Sequence, residues 1–209
     1  MSIELLPKFI RENYEVHEWK HACAILKEDF PNEWNDIIPV LTDFRLNKSW
    51  IIKPGGRKSK VSGYIDEFLY DRGWIEKEFT TQVVVDDHTM DTPTHKIDCF
   101  KNRVALEIEW NNKDPFYDRD LNNFRLLFDL RAISVGIIIT RCDELRDIFN
   151  DIKRGNSYGA STTHMSKLLL IAFLSWLKFA DYFKQAEKTQ FILNTKRKSI
   201  YYNLFIGVF

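Results

Sequence analysis

The sequence predicts an α/β protein built as a central mixed sheet flanked by helices, and three observations predict it. Residues 117–131 carry apolar side chains at helical spacing, Leu121, Phe124, Phe128 and Leu130, and residues 31–41 do the same with Trp34, Ile37, Ile38 and Leu41. Residues 134–140 form a near-continuous apolar run, the signature of a strand buried on both faces. Residues 96–110 alternate in character about a tight turn and read as two short strands. Strand, helix and strand in succession around that hairpin give a layered α/β architecture.

The bulk composition narrows the functional classes. A chain of 209 residues with 44% hydrophobic and 29% charged side chains is expected to be one soluble domain, residues 1–209, with an ample core. Thirty basic and thirty acidic residues balance, so any nucleic-acid surface must come from local segregation of charge. Met1-Ser2-Ile3-Glu4 lacks a basic-then-apolar pattern, so no secretory signal is expected. Cys23, Cys99 and Cys142 are odd in number and far apart, which suits free thiols in a reducing cytoplasm. No run is long and apolar enough for a membrane span; residues 168–180 come nearest and contain Ser175 and Lys178.

Residues 14–29 are expected to lead from a strand into a helix with Trp19, Ala22, Cys23 and Leu26 inward. Within them, His17-Glu18-Trp19-Lys20-His21 matches the H-E-x-x-H pattern, in which two histidines on one helix face hold zinc. No third ligand follows, and an amphipathic segment without metal is the stronger reading. Pro31 then opens a second helix, suited to an early helical position. These two helices are expected to be packing elements or a dimer face.

Residues 44–65 contain no acid before Asp66 and hold Arg45, Lys48, Lys53, Arg57, Lys58 and Lys60 around Pro54-Gly55-Gly56. A solvated basic loop is the plain reading; in a balanced protein, a one-sign loop also suits phosphate contact. Residues 64–72 are expected to be a helix stopped by Gly73. Residues 76–85 read as one edge strand, and 86–94 as a polar loop.

The hairpin that follows carries the chemistry. With Lys101-Asn102 as its turn, Asp98 would pair opposite Ala105 and lie diagonal to Glu107, roughly 7–8 Å away. Glu107 and Glu109 share one face, while Val104, Leu106 and Ile108 share the other. Carboxylates converging on an otherwise apolar hairpin cost stability unless a cation joins them. Mg²⁺ prefers oxygen ligands, so Asp98 and Glu107 are the expected metal ligands, with the Ile108 carbonyl as a third. Glu109 would orient or deprotonate an attacking water, which is the arrangement metal-assisted phosphodiester hydrolysis needs. The competing reading is a surface hairpin with solvated glutamates.

Beyond the loop at 111–115, which includes Lys113, and the helix and strand already described, residues 143–152 are expected to be a short helix. Residues 154–167 form a second acid-free stretch, from Arg154 through Ser161, Thr162, Thr163 and His164. They read either as a loop and helix cap or as donors and acceptors for base edges. Residues 168–184 read as a helix, and 190–193 and 200–208 as strands, joined by a basic Lys196-Arg197-Lys198 turn.

Asp98 with Glu107-Ile108-Glu109 resembles the PD-(D/E)xK nuclease motif in the form whose final lysine is replaced by glutamate or glutamine. Thr94 to Cys99, Asn111 to Arg125, Pro54-Gly55-Gly56, Arg72-Gly73-Trp74, Ser134-Val135-Gly136, Ile138-Ile139-Thr140 and Tyr158 to His164 are together similar to the BglII/BstYI type of restriction endonuclease, over roughly residues 10–167. His17 to Ala22 fits that family's first helix. The resemblance implies a restriction-endonuclease-like core and Mg²⁺ held by Asp98 and Glu107. Glu109 would stand at the usual lysine position, and Glu76 or Glu78 would add a further acid. It also implies a homodimer that cuts palindromic double-stranded DNA, often GATC-centred, beside a cognate methyltransferase. Arg57, Lys58, Lys60, Lys113, Arg154, Ser161, Thr162, Thr163 and His164 are the expected DNA contacts. Residues 168–209 show no match, so an inactive DNA-binding relic is the alternative, ahead of a zinc peptidase.

Overall fold

The strand that anchors the molecule is β6 (Val104–Glu109), because every residue in it is buried. Its even-numbered residues, Val104, Leu106 and Ile108, enter the larger apolar core, and Ala105 enters a second core on the opposite side. Period-two alternation thus feeds two layers at once. The computed structural model describes residues 2–52, 58–110, 116–142, 145, 150–152 and 202–207.

The first core is closed by helices from the N-terminal half. A 3-10 turn (Ile3–Leu5), α1 (Lys8–Asn13), α2 (Ala22–Asp29), α3 (Pro31–Asp43), α4 (Lys48–Ile52) and α5 (Lys60–Tyr70) precede β6 in the chain, with β1 (Tyr14–Trp19) between α1 and α2. α3 begins at Pro31 and buries Trp34, Ile37 and Leu41, as its spacing predicts. α5 starts four residues earlier than expected: the Ser59 side chain accepts from the Ser62 amide at 2.9 Å and caps it. Its end falls where Gly73 takes φ +83°, letting the Gly73 and Trp74 amides turn back onto Tyr70 and Leu69 carbonyls.

Six strands make the central sheet in the order β1-β8-β7-β6-β5-β2, with β7 (Val135–Arg141) parallel to β6 and β5 (Ile97–Lys101) antiparallel to it. β7 is buried through Thr140, as an apolar run predicts. β8 (Tyr202–Gly207) lies between β1 and β7, parallel to the first and antiparallel to the second. The C-terminal segment without a recognisable match therefore contributes a strand inside the sheet. The second core lies under α6 (Phe116–Asp129), whose Leu121, Phe124 and Leu127 are buried with Ile97, Ala105 and Ile138. Gly136 makes this approach feasible: a Cβ there would meet Phe124 Cδ2 at 2.5 Å.

Four expectations change. His17 and Glu18 lie in β1 and His21 has left-handed backbone before α2, so the two histidines do not share a helix face. Glu18 instead accepts from the Ser2 hydroxyl at 2.8 Å and the Cys23 amide at 3.1 Å, serving the first turn of α2. The zinc arrangement loses its geometry. Residues 76–85 split into β2 (Ile75–Lys77), which joins the main sheet, and β3 (Thr80–Val85), which pairs with β4 (His88–Pro93) in a separate two-stranded sheet; the expected polar loop is largely that second strand. Leu130 lies beyond the end of α6 and is exposed, and Leu127 takes the inward place. The hairpin turn is Asn102-Arg103, both at positive φ, as a tight two-residue β-hairpin turn requires. The expected helix at 143–152 falls largely outside the described residues, and the expected helix at 168–184 and strand at 190–193 wholly so.

Candidate active site

That one-residue move of the turn rearranges the carboxylates. Cys99 pairs with Leu106 and Phe100 with Ala105, so the same register sets Asp98 directly across from Glu107 rather than diagonal to it. Directly opposed side chains start about 4.5–5.5 Å apart at Cβ. The two residues are also cross-linked through the backbone: the Ile108 amide donates to Asp98 Oδ2 at 2.9 Å, and the Asp98 amide donates to Glu107 Oε2 at 3.3 Å. Register, not loop length, holds the pair in place.

A cleft of about 350 Å³ opens over this pair, roomy enough for several waters at roughly 30 Å³ each. Its floor is Asp98, Glu107, Ile108 and Glu109. α5 contributes Asp66 and Tyr70 to one wall, and Arg119 of α6 borders the other. The Tyr70 hydroxyl donates to the Asp98 carbonyl at 3.0 Å, which ties α5 to the hairpin. Lys58, at the rim, pairs with the buried Asp66 at 2.6 Å. Arg119 donates to Glu109 at 2.6 Å and to Asp120 at 2.8 Å, so one guanidinium bridges two buried carboxylates.

The electrostatics are those of a site short of positive charge. Burial raises the Asp98 carboxyl above its ordinary value, and neighbouring Asp66 adds to it. Burial and the negative charges of Asp98 and Asp120 hold Glu107 well above the glutamate range. Glu109 rises to about 9, through burial first and then the facing Asp120, with Arg119 only partly offsetting it. Asp120 and Asp66 are pushed up by burial as well. Arg119 is held more firmly protonated because Asp120 and Glu109 outweigh its own burial. His95 is lowered by burial and by Arg119, which favours the neutral imidazole. Glu107 Oε1 and Asp120 Oδ2 have no hydrogen-bond donor among the described residues. Buried carboxylate oxygens of this kind cost free energy unless a cation or a proton meets them.

The hairpin residues singled out from the sequence come together: Asp98, Glu107, Ile108 and Glu109 all border the cleft. Of the two upstream acids, Glu76 lines it and pairs with Lys96 at 2.6 Å, while Glu78 is exposed and not among the lining residues. Among the expected DNA contacts, Lys58 borders the cleft and Lys60 is exposed at the start of α5. Arg57, Lys113, Arg154, Ser161, Thr162, Thr163 and His164 lie outside the described residues.

Sequence reasoning missed Asp66, Tyr70, His95 and Arg119 among the charged and aromatic lining, and Asp120 beside it. A signal existed for some of them. Ser62, Asp66 and Tyr70 recur four residues apart, a polar stripe along one face of an otherwise apolar helix. Asp120 sits four residues before Phe124, in line with the buried stripe of α6. His95 had no local signal, because its place depends on how β4 connects to β5.

A family model described as restriction endonuclease BglII/BglIII matches residues 14–171. No match was found among curated proteins. The matched span includes the hairpin, both helices that wall the cleft, and β1 through β7.

Proposed function

The chain belongs to the BglII/BglIII restriction endonuclease family and is thus a type II restriction endonuclease, a hydrolase; from that premise we propose that it cuts a short palindrome in duplex DNA with Mg²⁺ bound at the Asp98–Glu107 hairpin. The observation that carries this reading is the buried Glu107, 1% exposed, set across the β5–β6 register from Asp98 at the cleft.

The donor set fits the ion. Asp98, Glu107 and the Ile108 carbonyl offer only oxygen, which Mg²⁺ prefers, and leave room for the waters it retains. Bound there, the ion would polarise the scissile phosphate and make water more acidic. The remaining work falls to the protein. The paired backbone bonds between β5 and β6 keep the two carboxylates opposed before substrate arrives. Glu109 receives or directs a proton of the attacking water, and Arg119 fixes its side chain through the 2.6 Å ion pair. Lys58 stands at the rim, where a phosphate entering the cleft would meet it and compete with Asp66. Glu76, on the exposed side, supplies a further acid near the scissile position.

On this reading the whole chain is one endonuclease domain, with residues 170–209 a distinct C-terminal segment. The active species is a homodimer whose two-fold axis matches that of a palindrome, GATC-centred as in related enzymes. It works in the cytoplasm beside a methyltransferase that protects host sites. β8 within the sheet supports the active reading over an inactive relic. No described helix is long and apolar enough to cross a membrane.

The test is incubation of the purified protein with mixed-sequence plasmid and Mg²⁺. Discrete fragments that disappear with Asp98→Ala and with Glu107→Ala are expected, and sequencing the fragment ends yields site, cut position and overhang. Intact DNA with every divalent ion tried would overturn the reading.

A further inference from the structure

Glu107 has a second set of neighbours besides Asp98. His95, in the connection from β4 to β5, and Asp120, in α6, each bring a donor atom toward it, and the three donor atoms lie within 4.8 Å of one another. Two ligands at about 2.1 Å from one ion stand at most roughly 4.2 Å apart. Three ligands cannot all be trans, so around one ion their donor atoms stand roughly 3.0–3.4 Å apart, and a set within 4.8 Å closes by up to about 1.5 Å on binding.

This is more than a group of acids. Glu107 and Asp120 are sealed from solvent, and each keeps one oxygen, Oε1 and Oδ2 respectively, without a donor among the described residues. Native interiors leave few such oxygens, and each asks for a partner. The His95 main chain is also held in place: its amide donates to Asn123 Oδ1 at 3.3 Å, and its carbonyl accepts from Asn123 Nδ2 at 3.0 Å. Asn123 lies one turn beyond Asp120, so a single helix face supplies one ligand and the clamp on another. The neighbouring Thr94 hydroxyl bonds the Phe79 carbonyl at 2.6 Å, fixing the same connection from the other side. None of these contacts serves the all-oxygen set of Asp98, Glu107 and the Ile108 carbonyl.

We propose that His95, Glu107 and Asp120 form a second cation position, which takes a first-row transition-metal dication through one imidazole nitrogen and two carboxylate oxygens. The nitrogen sets the preference. Imidazole suits Fe, Ni, Cu and Zn ions, with Mn²⁺ the weakest binder of the first-row series, whereas Mg²⁺ selects oxygen. Glu107 lies between the two positions and can present one oxygen to each. The position rests on the proposed nuclease reading only through that shared residue, and metal binding reports it without DNA.

Titration of the full-length protein with Mn²⁺ alone, followed by pulsed electron paramagnetic resonance, decides the matter. Wild type is expected to show nitrogen-14 coupling from a single histidine. His95→Gln abolishes the coupling, Asp120→Asn weakens Mn²⁺ binding at that position at least tenfold, and Asp98→Asn retains the coupling. The clamp on Asn123 uses only the His95 backbone, so His95→Gln is expected to keep the wild-type circular dichroism; should Asp120→Asn fail to fold, the His95→Gln result decides alone. No nitrogen coupling in wild type, or coupling that survives His95→Gln, overturns the proposal. Mg²⁺-dependent cleavage by a protein lacking nitrogen-bound Mn²⁺ would sink this position and leave the nuclease reading standing. Nitrogen coupling without cleavage would do the reverse.

Discussion

The β3–β4 hairpin carries Val83, Val84, Val85 and Met90 at 42–65% exposure, whereas the β5–β6 hairpin that follows it buries Glu107 and Glu109 below 5%. Both are antiparallel pairs of short strands, and both mix apolar with polar side chains. What separates them is the company each keeps. β6 has β5 on one edge and β7 on the other, with α5 and α6 on its two faces. β3 and β4 have only each other in their sheet. Strand formation is thus decided locally and burial is decided by the neighbours, so one hairpin can bury acids while the valines of another stay wet. Such an inversion is expected where function, rather than stability, selects the buried residues.

The largest expected contrast is catalytic. Removing a carboxylate that holds the ion forfeits several kcal/mol of transition-state stabilisation, and each ~1.4 kcal/mol is tenfold in rate. Glu107→Ala and Asp98→Ala are therefore expected to slow plasmid cleavage by about 10³-fold or more. Val84→Lys, on the exposed hairpin, is expected to leave the rate within about twofold, as surface changes away from the site do. An arm substitution that also abolished cleavage would show that β3–β4 takes part in substrate or partner binding.

Stability should divide the same way. Leu106 is fully buried in the larger core, and Leu106→Ala is expected to cost roughly 2–5 kcal/mol. Val84→Ala is expected to stay within about 0.5 kcal/mol. Urea unfolding separates the two as a shift of midpoint at unchanged slope.

How far the sequence disclosed this arrangement follows from the same contrast. The apolar run of β7, the stripe of α3 and the alternation of β6 are set by nearest neighbours in the chain, and each lies where its pattern puts it. The boundary between β2 and β3 was missed because both share one β-branched run, and only the choice of partner strand divides them. The hairpin register was off because Lys101-Asn102 and Asn102-Arg103 are both plausible turns, and positive φ at Arg103 decides between them. That shift matters chemically, since it brings Asp98 face to face with Glu107. His95 and Arg119 became site residues through tertiary placement alone. The H-E-x-x-H match shows the converse: a pattern whose meaning requires a helix carries none when its first half is a strand.

A subtler way to sharpen the contrast is to disturb the buried hairpin from behind. Gly136 on β7 faces Phe124 so closely that an added Cβ would sit 2.5 Å from a ring atom. Gly136→Ala is expected to push Phe124 and α6 outward, at roughly 1–3 kcal/mol for overpacking. Because α6 also carries Arg119 and Asp120, cleavage should fall more than the loss of stability alone explains. Rates measured at a temperature where the variant is fully folded would show this, and a wild-type rate there would mean the helix absorbs the methyl without moving.

The smallest expected effect is a pH slope of stability in the metal-free protein, and its sign follows from the direction of the shifts. Glu109 titrates at 4.5 when free and at about 9 in the fold, raised by burial and by Asp120. Asp98 and Asp120 are raised too. A raised acid favours the folded state while protonated, so its contribution is complete below about pH 4.5 and is lost as pH climbs through the folded value. Glu18 works the other way, because the hydrogen bonds from Ser2 and Cys23 outweigh its burial and lower it; its contribution is lost only as pH falls below the ordinary glutamate range. Between about pH 6 and 9 the raised carboxyls therefore act unopposed by Glu18. The metal-free melting temperature is expected to fall across that interval. Glu109→Gln removes the group that spans the whole interval and should flatten the slope, while Val84→Thr on the exposed hairpin should not. Added Mg²⁺ should flatten it as well, since the ion takes the place of the protons that hold the buried acids together. A melting temperature that rises from pH 6 to 9 without metal would mean that Glu109 and Asp120 are ionised together in the folded protein, with Arg119 sufficient for both.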